Sequence, residues 1–479
     1  MKSKKKLKKI LLTSLCVVLS VAVILGAIYA IGYLTEPVVE FTPLEGRAYT
    51  DGELKVEPDE SKYIKVTAKD TGNDIYTPCK NEDYVYRYGP SMIRNADGSI
   101  DAYFSAPGVF DQWDWIFYRH SPDGGKSWTV EKAVLQPTPD SPDFYSCCDP
   151  GIVKSGDYYY LAYTSTVAEG GVDNNVFVAR SKSLDGPFEK WNGSGWGGRP
   201  SPIIDYTGDP ATYGAGEPSM VVLDGKLYLY YTWRDGELNQ TRLSIADAND
   251  PDWPATLEYN GIAIDHVAGD TDSADVKYVE DYGKFIAVST AQRFGTESYI
   301  KVYCSNDGLT FTDSYALNSN ISHCCHNCGI SGRPNGHIRL SDSIYVAYAY
   351  GKDFGTWATR INEVSLSLID APDFSDLDKE NFKNDFEPAS RTFRTNYVGI
   401  TTDPHVYDVS LSDGRFKVEV YKIDTHKDDK RVYFNVTLKD YDESIISVDG
   451  LKITPLKKGE TFVTAEWKGN ETTFLVKIS

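Results

Sequence analysis

The feature that most limits what this chain can fold into is a repeat. Five segments share one shape: a leading residue, a short apolar run, a turn built on Asp or Gly, and then an aromatic strand. They begin at Gly89, Asp149, Glu217, Asp275 and Asn335, 58 to 68 residues apart. The clearest copies are Gly89-Pro-Ser-Met-Ile, Asp149-Pro-Gly-Ile-Val and Glu217-Pro-Ser-Met-Val. Each segment reads as a β-hairpin. A third strand follows each one, near residues 115–119, 175–180, 240–245, 299–304 and 362–368. Four short strands per unit, punctuated by glycine and aromatics, describe a propeller blade. Five units predict a five-bladed β-propeller.

The flanks extend this reading. Residues 35–82 form an extended lead-in, and its run 63–68 (YIKVTA) is placed to complete the last blade. The propeller is expected over 83–391. From 392 to 479 the strands alternate apolar and polar residues, which predicts a small Ig-like β-sandwich. Ahead of everything, Ile10 to Tyr33 is 24 residues without a charge, preceded by Lys2, Lys4, Lys5, Lys6, Lys8 and Lys9. Residues 1–34 therefore read as a signal anchor or a signal peptide. The expected fold class is all-β: one N-terminal transmembrane helix, then the propeller, then the sandwich. The rest of the chain is expected on the extracellular face of the cell membrane or secreted, with membrane contact through the N-terminal segment only.

A net charge of −20 argues against nucleic acid as a partner. Seven cysteines follow the apolar segment: Cys79, Cys147, Cys148, Cys304, Cys324, Cys325 and Cys328. Disulfides near the pocket, a structural metal and free thiols all remain open.

Three of the five leading residues are acids. In a closed ring, Asp149, Glu217 and Asp275 meet at one mouth. Paired carboxylates are what cleavage of a glycosidic bond needs: one donates a proton to the leaving oxygen and the other, ionised, activates water or attacks carbon. Glu217 is the expected acid, because Glu starts nearer neutrality. Asp149 and Asp275 compete for the base role. Arg87, Arg333 and His337 lie beside leading residues and are expected to bind substrate. Trp113, Trp115, Tyr145, Trp196, Tyr206, Tyr213 and Trp357 are candidates to stack on sugar faces.

Residues 80–370 resemble the five-bladed glycoside hydrolases, family 43 and its relatives in families 32, 62, 68 and 117. The resemblance rests on Asp149-Pro-Gly-Ile-Val with YYYLAY, on Gly186-Pro-Phe188, and on Gly216-Glu217-Pro-Ser-Met with KLYLYY. It implies that Glu217 is the acid, that Asp149 tunes it, and that the reaction inverts the anomeric carbon. The first-blade position, which carries the base in that family, is Gly89 here. The base then comes from Glu82, Asp83 or Asp275. No cofactor is implied as necessary; a central calcium near His337 is compatible with the resemblance. The turn SPDGGKSW at 121–128 fits the Asp-box of sialidases, which have six blades rather than five, and residues 446–467 resemble Ig-like modules of the invasin and intimin type. The expected function is an exported, exo-acting glycoside hydrolase on an oligosaccharide or polysaccharide. The alternative is a non-catalytic carbohydrate-binding or adhesive surface propeller; a lyase or phosphorylase on the same scaffold ranks third.

Overall fold

A computed structural model describes residues 14, 17–28, 47–79, 85–166, 170–266, 271–379, 386–388, 397–424, 430–432 and 435–479. Glu82 and Asp83 lie outside them, as do residues 10–13, 15–16 and 29–33 of the apolar segment at the N-terminus.

Residues 17–28 of that segment are helical. Among the described residues no helix is long and apolar enough to cross a membrane. The transmembrane helix expected over 10–33 is corrected on this point, and with it the expected attachment to a membrane.

From residue 47 onward the described structure is almost entirely β. Five antiparallel strand groups follow one another along the chain, the second and third joined into one eight-stranded sheet by a parallel bridge between Gly214 and Asn174. Their first strands are Tyr88–Arg94, Cys148–Ser155, Gly214–Leu223, Thr271–Val279 and Cys325–Ile330. These inner strands neighbour one another in that order, and the fifth returns to the first. The five groups thus radiate from a closed ring as five blades. The fifth blade takes its outer strand from the lead-in: Tyr63–Ala68 pairs antiparallel with Ala358–Ile369.

Inner strands of adjacent blades are not zipped together by a backbone ladder, so their buried N–H groups need other partners. The recurring serine supplies them. Ser91 Oγ of blade one accepts the N–H of Ile152 in blade two at 3.2 Å, and Ser219 Oγ of blade three accepts that of Val276 in blade four at 2.9 Å. Between the outer parts of the blades, apolar faces interlock. Val288, Ile300 and Val302 of blade four pack with Val346, Tyr348 and Val364 of blade five and with Ile64 and Val66 of the lead-in. The Asp-box is structural: Asp123 Oδ1 accepts the Ser127 N–H at 2.8 Å, and Trp128 Nε1 donates to the Gly125 carbonyl at 3.2 Å.

The fifth hairpin differs from its sequence reading. Its inner strand is Cys325–Ile330, not the run that begins at Asn335. The strand reads CHNCGI and is buried along its whole length, so it has no apolar–polar alternation to betray it. The stretch 332–336 instead crosses the far end of the ring. There the carbonyls of Gly332, Pro334, Asn335 and Gly336 accept the N–H groups of Arg94, Lys154, Val222 and Tyr278, one from each of the other four inner strands.

Residues 397–479 form three small sheets around a separate core that includes Ile400, Val463, Trp467 and Phe474. This part buries Val398 and Ile423 against the apolar core of blade one and adds polar contacts such as Thr472 Oγ1 to Gln136 Oε1 at 2.9 Å.

Candidate active site

Each inner strand carries one extra residue near its start, which breaks the register with the second strand of its blade. Such bulges re-aim a side chain. In blades one, two and three the bulge falls on Gly89-Pro90, Asp149-Pro150 and Glu217-Pro218. Gly89, Asp149 and Glu217 have φ of 62°, 48° and 53°, and Asn327 in blade five has 44°. The left-handed conformation is costly for residues with a Cβ, and it clusters where structure is shaped for a task. Hydroxyls of the neighbouring strands hold it. Ser105 Oγ accepts the Asp149 N–H at 2.8 Å, and Thr164 Oγ1 accepts the Glu217 N–H at 2.7 Å.

The bulges converge on one cavity of about 30 Å³, lined by Gly89, Asp149, Glu217, Ser273, Asp275 and Asn327 among others. That volume holds roughly two waters. All three acids singled out in the sequence therefore reach the same space. Their surroundings differ. Glu217 is buried, and its Oε1 accepts a hydrogen bond from Asn327 Nδ2 at 3.2 Å; the same amide also donates to Ser273 Oγ at 3.1 Å. Asp149 is half-buried. Asp275 is engaged on every side: Lys277 Nζ at 2.5 Å, Ser219 Oγ at 2.7 Å, and the Ile330 N–H at 2.8 Å. It joins blades three, four and five as a strut. It also sits one residue past Ala274, whereas Asp149 and Glu217 sit two residues before the equivalent Gly151 and Ser219.

Four expected binding residues are placed elsewhere. Arg87 is buried in a bidentate pair with Glu131 and lies over the Tyr76 ring at 4.2 Å. Arg333 pairs with Asp342 and Asp51 at the far end of the ring. His337, also at the far end, is fully buried between Glu280 and the Val222 carbonyl, at 2.8 and 2.7 Å. The reason is the shifted fifth hairpin, which carries Arg333 and His337 away from the acids. Trp115 is wholly inside blade one, its Nε1 donating to Gln112 at 2.7 Å. Trp113 is 38% exposed and packs on Tyr145. The Tyr213 hydroxyl lies against Gly216, where an added Cβ would be 2.5 Å away. Trp357 joins Tyr86, Tyr88, Phe294 and His326 in an aromatic cluster beside the residues that precede Gly89 and Asn327.

Asp114 is a residue that the sequence reading missed. It begins the third strand of blade one and is buried. Tyr86 Oη donates to its Oδ1 at 2.6 Å; Tyr88 Oη and Ser146 Oγ lie 3.4 Å from Oδ2. Burial pushes this carboxyl up to about 7; the nearby charge of Asp149 adds to the rise, while the hydroxyl donors oppose it. Burial also pushes up the thiols of Cys147 and Cys148, which makes them poor nucleophiles. Their sulfurs face Asp143 and the Thr164 carbonyl, and of the alternatives left open by the sequence this pair takes that of free thiols. Among the described residues, no group of three or more His, Cys, Asp and Glu side chains is placed to hold a metal ion.

No protein-family profile matches this chain, and no curated protein does. Solved structures show distant likenesses to β-propeller glycoside hydrolases. A family 117 glycoside hydrolase of Zobellia galactanivorans is 18% identical, with a TM-score of 0.44 over 66% of this chain and 92% of its own. An α-L-arabinofuranosidase of Podospora anserina is 13% identical, with a TM-score of 0.45 over 64% and 98%. A thermostable family 43 glycoside hydrolase is 14% identical, with a TM-score of 0.43 over 66% and 100%. The fold described above rests on the strand pairing of this chain itself.

Proposed function

We propose that this chain is a glycoside hydrolase that acts in the cavity at the axis, with Glu217 as general acid and Asp149 as the ionised carboxylate. One observation carries the reading: Asp149 and Glu217 occupy the same bulge position in adjacent blades and line one cavity. Glycosidic cleavage needs two carboxyls in different environments. Their environments do differ: Glu217 is buried and hydrogen-bonded to Asn327, and Asp149 is the more open of the two. The binding of Asp275 to Lys277 supports Asp149 over Asp275 as the group that activates water. A cavity of water size suits a hydrolytic water beneath a sugar ring lying across its opening, and inversion follows if that water attacks directly. The lysines ahead of an uncharged apolar run support export of the remainder.

The test is a panel of aryl glycosides and plant and microbial polysaccharides. Glu217→Gln is expected to lose hydrolysis while keeping substrate affinity, and the first product anomer, followed by NMR, is expected to be inverted. Full activity in Glu217→Gln removes this residue as the acid. A second reading, a binding propeller without catalysis, is favoured by Gly89, which offers no carboxyl from blade one. It predicts glycan binding without turnover in the unmodified chain.

A further inference from the structure

We infer that Asp114 is blade one's carboxyl at this site, a positioning residue that sits behind Tyr88 and sets the ionisation of Asp149. The inference rests on the hydrolase reading for its role in turnover, though the coupling itself does not.

A side chain at the blade-one bulge would crowd Asp149, whose Oδ1 lies 3.3 Å from where a Cβ on Gly89 would stand. Asp114 approaches the same place from the other side. Tyr88, the residue before Gly89, points its hydroxyl at Asp114. The Asp114 carbonyl accepts the Cys147 N–H at 2.9 Å, so the segment leading into Asp149 is anchored on the same residue. The groups facing the Asp114 carboxyl are Tyr86 and Tyr88 from blade one, and Ser146, Cys148 and Asp149 from blade two. None of these is a cation.

Two buried carboxylates elsewhere in the fold are neutralised by cations: Glu131 by Arg87 and Asp143 by Lys190. A carboxyl that serves only to hold the fold is expected to look like those. Asp114 differs, and a buried acid without a cation keeps its proton. With the proton on Asp114, its charge no longer opposes that of Asp149. Once Asp114 ionises, near pH 7, the two charges oppose each other, and the pair titrates as one unit.

The experiment is a carboxyl-carbon NMR titration of the full chain labelled at aspartate, with the Asp114 signal assigned by its loss in Asp114→Asn. Its midpoint is expected near 7, and Asp149→Asn is expected to move it down. A midpoint in the ordinary carboxylate range, or one that Asp149→Asn leaves in place, overturns the inference. If Asp114→Asn does not fold, Tyr88→Phe serves instead: losing one hydroxyl donor should move the midpoint up, and an unmoved midpoint also overturns it. In turnover, Asp114→Asn should remove the inflection near pH 7 from the rate profile; an unchanged inflection rejects a part for Asp114 in turnover. Coupling without any glycosidase activity would reject the hydrolase reading and leave the pair standing.

Discussion

A Cβ added to Gly89 would stand 3.3 Å from Oδ1 of Asp149. These residues are 60 positions apart and belong to neighbouring blades, yet they contend for one volume. Gly89 also has φ of 62°, a conformation that only glycine adopts without strain. Space and backbone select the same residue. The carboxylate of blade two leans into the room that glycine leaves in blade one.

Gly89→Ala should cost about 1–2 kcal/mol of stability from its backbone conformation alone. Gly89→Asp, which writes an acid into blade one, should reduce turnover by about a hundredfold by displacing Asp149. Urea unfolding and initial rates check the two effects. A gain of activity in Gly89→Asp would mean that Asp149 is not the working carboxylate.

Asp275 and Glu217 should separate cleanly. Removing the Asp275 side chain strands Lys277, whose side chain is 3% exposed, and cuts ties to Ser219 and Ile330. Breaking a buried ion pair from one side costs about 3–5 kcal/mol, so Asp275→Ala should be the destabilised variant. Glu217→Gln can still accept from Asn327 and should stay within about 1 kcal/mol of the parent. Denaturant midpoints measured side by side decide it; equal midpoints would deny Asp275 its role as a strut.

The sequence carried the ring and most of its acids because those signals are local. Glu217-Pro-Ser-Met-Val followed by Asp224-Gly225 is a bulge, an inner strand and a turn written in adjacent residues. Blade five broke the pattern because CHNCGI is buried on both faces and has no period to read. That one shift moved Arg333 and His337 from the mouth to the far end. Asp114 was missed for another reason. Its significance comes from Tyr86, Tyr88, Ser146 and Asp149, and only the closed ring brings these together. The sole local hint was an acid between Trp113 and Trp115 at the start of a strand.

Those two tryptophans should respond in opposite ways. Trp115 is fully buried, and Trp115→Ala should cost about 3–5 kcal/mol. Trp113 is 38% exposed and packs on Tyr145 near Asp114. Trp113→Ala should change stability little and weaken glycan binding by about 0.5–1.5 kcal/mol. Thermal melts and binding calorimetry test the pair. Unchanged affinity in Trp113→Ala would take this ring out of the binding surface.

The far end of the ring should set the acid limit of stability. Glu280 accepts hydrogen bonds from the Leu54 N–H at 2.9 Å and Arg339 Nε at 2.6 Å, and its Oε1 is 2.8 Å from His337 Nδ1. Burial works against the charged form, but these partners outweigh it and hold the carboxyl down to about 2, from an ordinary 4.5. A carboxyl depressed on folding adds stability above its unfolded value and loses it as the pH falls toward its folded one. The loss should therefore run from about 4.5 to about 2. Glu280→Gln removes the titrating group. Its deficit against the parent should be full at neutral pH, shrink across that window and vanish near its lower edge. Unfolding midpoints of both proteins across the window measure this, and a deficit that stays constant on acidification would show that the Glu280 charge does not hold the loop of residues 332–339 in place.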